Sequence, residues 1–102
     1  MKLLFVTALK ESAEIVAAIF KKADIRVYSA TDTIGFKNGS DKYLVDNWFS
    51  SGDAKFDSIF LFSFTGEENA DHALKLINQY NQEFPGDFPI RAFVMPVEKT
   101  SN

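Results

Sequence analysis

The sequence predicts an α+β fold in which two helices cover one face of a four-stranded antiparallel sheet. Three observations carry that expectation. Strand-forming and helix-forming stretches follow one another as strand, helix, strand, strand, helix, strand. Both helical stretches carry apolar residues at spacings of three and four, so each offers one apolar stripe. The first and third strands are the most continuously apolar, as befits the centre of a sheet.

"KLLFVTAL" (2–9) is short, apolar and rich in strand formers. The start, "MKLLFVTALKESAE", imitates a secretory leader for a few residues only. Lys10, Glu11 and Glu14 end the apolar run, and no small-residue cleavage site follows it cleanly. In "KESAEIVAAIFKKA" (10–23), Ile15, Val16, Ile19, Phe20 and Ala23 form the stripe, and Lys21 and Lys22 sit in the last turn, where the helix dipole favours cations. "IRVYSATDTIGF" (25–36) alternates and is β-branched, as an edge strand would be.

Residues 37–57 read as a long polar loop broken by Gly39 and Gly52, with room for one helical turn or short strand. It holds one brief apolar cluster at Tyr43, Leu44, Val45, Trp48 and Phe49. A loop of that length in a compact domain is generally functional. "SIFLFSF" (58–64) is a buried strand. In the helix of "TGEENADHALKLINQYNQEF" (65–84), Thr65 and Glu68 suit a capping box, and Ala70, Ala73, Leu74, Ile77 and Tyr80 face inward. Pro85 and Gly86 stop it. "PIRAFVMPV" (89–97) is the last strand, ended by Pro96 near an edge. The order β-α-β-loop-β-α-β is the split βαβ, or ferredoxin-like, arrangement. At 102 residues it fills one domain, 1–102.

Composition narrows the function. The net charge of −3 argues against non-specific nucleic-acid binding, which requires a basic footprint. The absence of cysteine excludes disulfides, thiolate metal sites and cysteine nucleophiles. No stretch reaches the ~20 apolar residues of a membrane span, so a cytoplasmic protein without membrane insertion is expected.

Eleven phenylalanines supply more apolar surface than one sheet face can bury. Leu3 and Phe5 oppose Leu4 and Val6 in parity. Phe60, Phe62 and Phe64 oppose Ile59 and Leu61, while Phe93, Met95 and Val97 oppose Ile90, Ala92 and Val94. Two helices cover one face. The simplest cover for the other is a second copy of the chain in a closed oligomer, the alternative being residues 37–57 folded back over it.

Two stretches resemble the PII-type family of signalling proteins, known from nitrogen regulation. "IRVYSATDTIGFKNG" is similar to the PII second strand, which enters the long T-loop through a Gly-Phe-Gly turn. "AFVMPVE" is similar to the Phe-Val-Ser-Pro-Val-Glu of the last PII strand. The resemblance implies a trimer packed through its sheets, with nucleotide-binding clefts between neighbours and a T-loop that reports the bound state to a target protein. It places ligand binding near Gly35, Phe36, Lys37, Asn38, Gly39, Gly86 and Arg91. An adenine nucleotide is the ligand it implies. In the loop, with Tyr43, the aromatic pair Trp48-Phe49 amid polar residues suits a partner-binding anchor, the alternative being that it tucks onto the protein's own cleft.

The chain departs from that pattern at several positions. Lys37 stands where PII has a glycine, and Gly86-Asp87-Phe88-Pro89 replaces the phosphate-holding Gly-Asp-Gly-Lys turn. That exchange removes backbone donors from a phosphate nest and leaves Arg91 as the nearby cation. The C-terminal arginines of many members have no counterpart after Lys99, and Tyr43 falls too early to match the modifiable T-loop tyrosine.

The remaining chemical candidates are weak. His72 is the single histidine and is expected on a helix surface rather than on a metal. Asp71 beside it in sequence does not face it on a helix. Glu67, Glu68 and Asp71 suit the positive end of the second helix. Asp41, Asp46, Asp53 and Asp57 lack the spacing of a calcium loop. No nucleophile-and-base pair is visible, so no enzyme and no catalytic residue is expected. The sequence therefore points to a PII-like trimeric regulator. The alternatives are a metal-homeostasis protein resembling CutA or the PII-like proteins encoded beside heavy-metal efflux pumps, or a non-catalytic structural module.

Overall fold

The computed structural model describes residues 1–37 and 54–101. Strand β1 (Lys2–Leu9) passes through a single 3-10 turn (Lys10–Ser12) into α1 (Ala13–Lys22). Strands β2 (Ser29–Lys37) and β3 (Ala54–Thr65) follow, then α2 (Glu67–Glu83) and β4 (Arg91–Pro96). All pairings are antiparallel and the strand order is β2-β3-β1-β4. This is the ferredoxin-like α+β fold, with the first and third strands central as their apolar content predicts.

The core lies between one sheet face and the two helices. Leu4, Val6 and Ala8 of β1 and Ile59 and Leu61 of β3 meet Val16, Ile19 and Phe20 of α1 and Ala73 and Ile77 of α2. Ser63, the buried polar residue among the described ones, donates its hydroxyl to the Val27 carbonyl at 2.7 Å, so its burial leaves no orphan donor. Asn69 of α2 donates to the Ala23 carbonyl at 3.0 Å, tying the start of α2 to the end of α1.

Element boundaries depart from the sequence reading for local reasons. Residues 25–28 do not extend β2. Asp24 adopts a left-handed backbone (φ 59), and the Ile25 amide donates back to the Phe20 carbonyl at 2.8 Å, so this stretch closes α1 instead. Ile90 precedes β4 because its amide and carbonyl are both taken by the Asn81 carboxamide, at 3.1 and 2.8 Å. The expected capping box does not form: the N-cap of α2 is Gly66, without a side-chain cap, while Thr65 is still paired with Lys2 in the sheet. The far end of the expected loop is strand. Residues 54–57 pair with 34–37, and the alternation Lys55-Phe56-Asp57 is the period-two signal that their charges disguise.

Candidate functional site

The register sorts the second sheet face into two halves. At one end, rows of apolar side chains cross the sheet: Phe62, Phe5 and Phe93 in one row, Phe64, Leu3 and Met95 in the next. Their rings form a connected cluster, with centroids 4.1 Å apart for Phe5–Phe60, 5.5 Å for Phe60–Phe62 and 6.3 Å for Phe5–Phe93. No described element covers them, and Phe64, Phe93 and Met95 are 57%, 51% and 41% exposed.

Toward the other end the face turns polar. Thr31, Phe60, Thr7 and Arg91 share one row, and Thr33, Ser58 and Leu9 the next, with the Thr33 and Ser58 hydroxyls hydrogen-bonded across the strands. Beyond Leu9 the β2–β3 pair runs on alone as an arm, so Gly35 and Phe56 oppose each other past the end of β1.

A cleft of about 210 Å³ opens here, lined by Thr7, Ala8, Leu9, Phe56, Ser58, Phe88, Pro89 and Arg91. Phe56 and Phe88 form an aromatic wall, their centroids 5.0 Å apart. Gly35 is what seats Phe56. A Cβ at Gly35 would stand 2.2 Å from the Phe56 ring, so only glycine lets the ring lie flat over β2. Arg91 is exposed and makes no salt bridge among the described residues. Its surroundings carry the opposite sign. Glu11 and Asp57 line the adjoining cleft that shares Leu9 and Phe56, and Asp87 is exposed in the turn leading to Phe88. Lys10, in the same adjoining cleft, is held by Asp32 at 3.1 Å.

The structure gathers some of the sequence-predicted residues and separates others. Arg91 is in the cleft wall, and Gly35 lies behind Phe56. Phe36 points to the opposite face of the arm, 71% exposed, with the Lys55 ammonium 6.0 Å from its ring centroid. Lys37 is the last residue of β2, opposite Ala54. Gly86 is exposed in the turn two residues before Phe88. Asn38, Gly39, Tyr43, Trp48 and Phe49 lie outside the described residues. Phe56, Phe88, Thr7 and Ser58 were missed. The available signal was a glycine placed across from an aromatic, legible once residues 54–57 are recognised as strand.

His72 is exposed on α2. Among the described residues, no three His, Asp or Glu side chains come together as a metal group. No described helix is long and apolar enough to cross a membrane.

A ferredoxin-like sheet with one helix-covered face, one aromatic face and a projecting β2–β3 arm defines the class. Solved structures share its ferredoxin-like fold. A protein described as a PII-like signalling protein, from Thermus thermophilus, superposes with a TM-score of 0.64 at 22% identity, covering 94% of this chain and 85% of its own. CutA from Pyrococcus horikoshii superposes with a TM-score of 0.63 at 17% identity, covering 99% and 88%. No protein-family model and no curated protein matches the sequence. At these identities the likeness is one of fold.

Proposed function

We propose that this chain is a divergent PII-like regulator, one domain over residues 1–102, that assembles as a closed trimer through its aromatic sheet faces. It binds a small ligand at the arm end of the sheet and relays occupancy through the segment that joins β2 to β3. The observation that carries this reading is the aromatic face that no described element covers. A half-exposed phenyl ring leaves on the order of 100 Å² wet, which costs about 2.5 kcal/mol per ring at ~25 cal/mol per Å². Phe64 and Phe93 together with Met95 therefore forfeit a large part of what a domain of this size has in reserve, about 5–15 kcal/mol. A closed symmetric assembly recovers it.

The shared fold with a PII-like signalling protein and with CutA supports the architecture. The resemblance of residues 25–39 and 92–98 to PII strands supports the regulatory role over a metal-handling one. A thermal-shift screen with small anions, adenine nucleotides and divalent cations tests the function, because a ligand selective for the folded state raises the melting temperature. A response confined to divalent cations would favour the CutA-like reading instead.

A further inference from the structure

The structure assigns a ligand class to the arm-end cleft: we infer that it takes a small aromatic monocarboxylate rather than a nucleotide. The inference rests on the proposed reading that this end of the sheet is a ligand site, and deepens it. Three features of the cleft select the ligand.

The first is charge. Arg91 is the cation in the wall, and a guanidinium presents a planar fork that matches one carboxylate in two parallel hydrogen bonds. A polyphosphate would bring several negative charges to a neighbourhood that already holds Asp57, Glu11 and Asp87, with Lys10 engaged by Asp32. One carboxylate matches one arginine there, whereas a triphosphate meets net repulsion.

The second is the backbone. Phosphate sites are built from clustered amides at a glycine-rich turn or a helix N-terminus. In this chain the segment that enters the cleft is Phe88-Pro89. Phenylalanine stands where a compact turn would bring its amides close, and proline has no amide to offer. What the segment contributes in place of donors is a ring.

The third is shape. Phe88 meets Phe56, and Phe56 is fixed over Gly35, so the wall is aromatic and prearranged. Aromatic rings favour another ring in an offset or edge-on contact, at centroid separations of about 4.5–7 Å. The cleft's 210 Å³ falls below the roughly 300–1,000 Å³ of sites for drug-sized ligands, which suits one ring and one carboxylate. Thr7 and Ser58 line the polar floor beside Arg91, and Thr7 brings a hydroxyl to the carboxylate end while the Ser58 hydroxyl is already shared with Thr33.

The test is calorimetric titration of the full chain with cinnamate, phenylacetate, acetate, inorganic phosphate, ADP and ATP, with the assembled mass measured by sedimentation on the same samples. The account expects cinnamate or phenylacetate to bind and acetate and phosphate to bind at least about tenfold more weakly. Arg91→Gln and Phe88→Ala should each weaken the aromatic acid by about tenfold or more. Both positions lie at the surface or rim, and retained far-UV circular dichroism verifies that the variants fold. Tighter binding of ADP or ATP than of either aromatic acid overturns the inference, as does cinnamate binding that Arg91→Gln leaves unchanged, or no binding by any aromatic acid. The two readings fail separately. An assembled chain that prefers nucleotide refutes the ligand class alone. A chain that stays single while binding cinnamate through Arg91 refutes the trimer and keeps the ligand class.

Discussion

The two faces of this one sheet both carry rows of large apolar side chains and have opposite fates. On the helix side Leu4, Val6 and Leu61 are essentially inaccessible, each held between α1 and α2. One residue along each strand, Phe5, Phe62, Phe64 and Phe93 form an equally connected ring cluster that no described element covers. Strand parity alone separates the two sets. The difference teaches that the helix-side core closes within the chain, whereas the aromatic face has no cover among the described elements and is left to the proposed trimer.

Substitutions on the two faces should therefore act on different observables. Leu61→Ala, on the closed face, should have the largest effect on the fold, losing about 2–5 kcal/mol with the cavity it leaves. The drop is read as a lower urea midpoint at unchanged slope. Asn81→Ala should come next, because it strands both the amide and the carbonyl of Ile90 at the entry to β4. A loss of about 1–3 kcal/mol is expected, with hydrogen exchange accelerating first in β4.

Asp24→Gly should move stability the other way. Asp24 holds a left-handed conformation that glycine adopts without strain, and its exposed ion pair with Arg26 adds little. A gain of up to about 1 kcal/mol should appear as a rise of a few degrees in melting temperature. Phe93→Asp, on the open face, should cost a single chain clearly less than Leu61→Ala, about 1–2 kcal/mol, since half of its ring is in water already. Its main effect should fall on mass. Circular dichroism should keep its shape while the assembled species disappears. Equal destabilisation by Phe93→Asp and Leu61→Ala in the separated chain would erase the distinction between the faces.

Much of the fold was legible in the sequence. The strands and helices, their order, the central placement of β1 and β3, and the inward stripe of Ala70, Ala73 and Ile77 all follow from periodicity. The two-sided apolar content of "SIFLFSF" foretold the open aromatic face. What periodicity does not carry is the competition for backbone groups at the ends of elements. Ile25 is claimed by the end of α1 and Ile90 by Asn81, so neither begins a strand, although both are good strand formers. Thr65 stays in the ladder opposite Lys2, which removes it as a cap.

The candidate site was legible only in part. Arg91 and Gly35 were found through a resemblance, but the residue that connects Gly35 to the cleft is Phe56, concealed between Lys55 and Asp57 in a stretch that reads as loop. Phe88 was noted for the glycine it replaces. Its contribution as one half of an aromatic wall depends on a contact between distant parts of the chain, which no local pattern encodes.

The central claim is that the aromatic face is buried between copies of this chain. Sedimentation equilibrium over a dilution series from about 100 μM to below 1 μM tests it most directly. The account predicts three times the mass of the 11.5 kDa chain, persisting to the low-micromolar range and collapsing to a single chain in Phe93→Asp. A wild-type chain that sediments as one copy across the whole series, with no assembled species at any concentration, would contradict it.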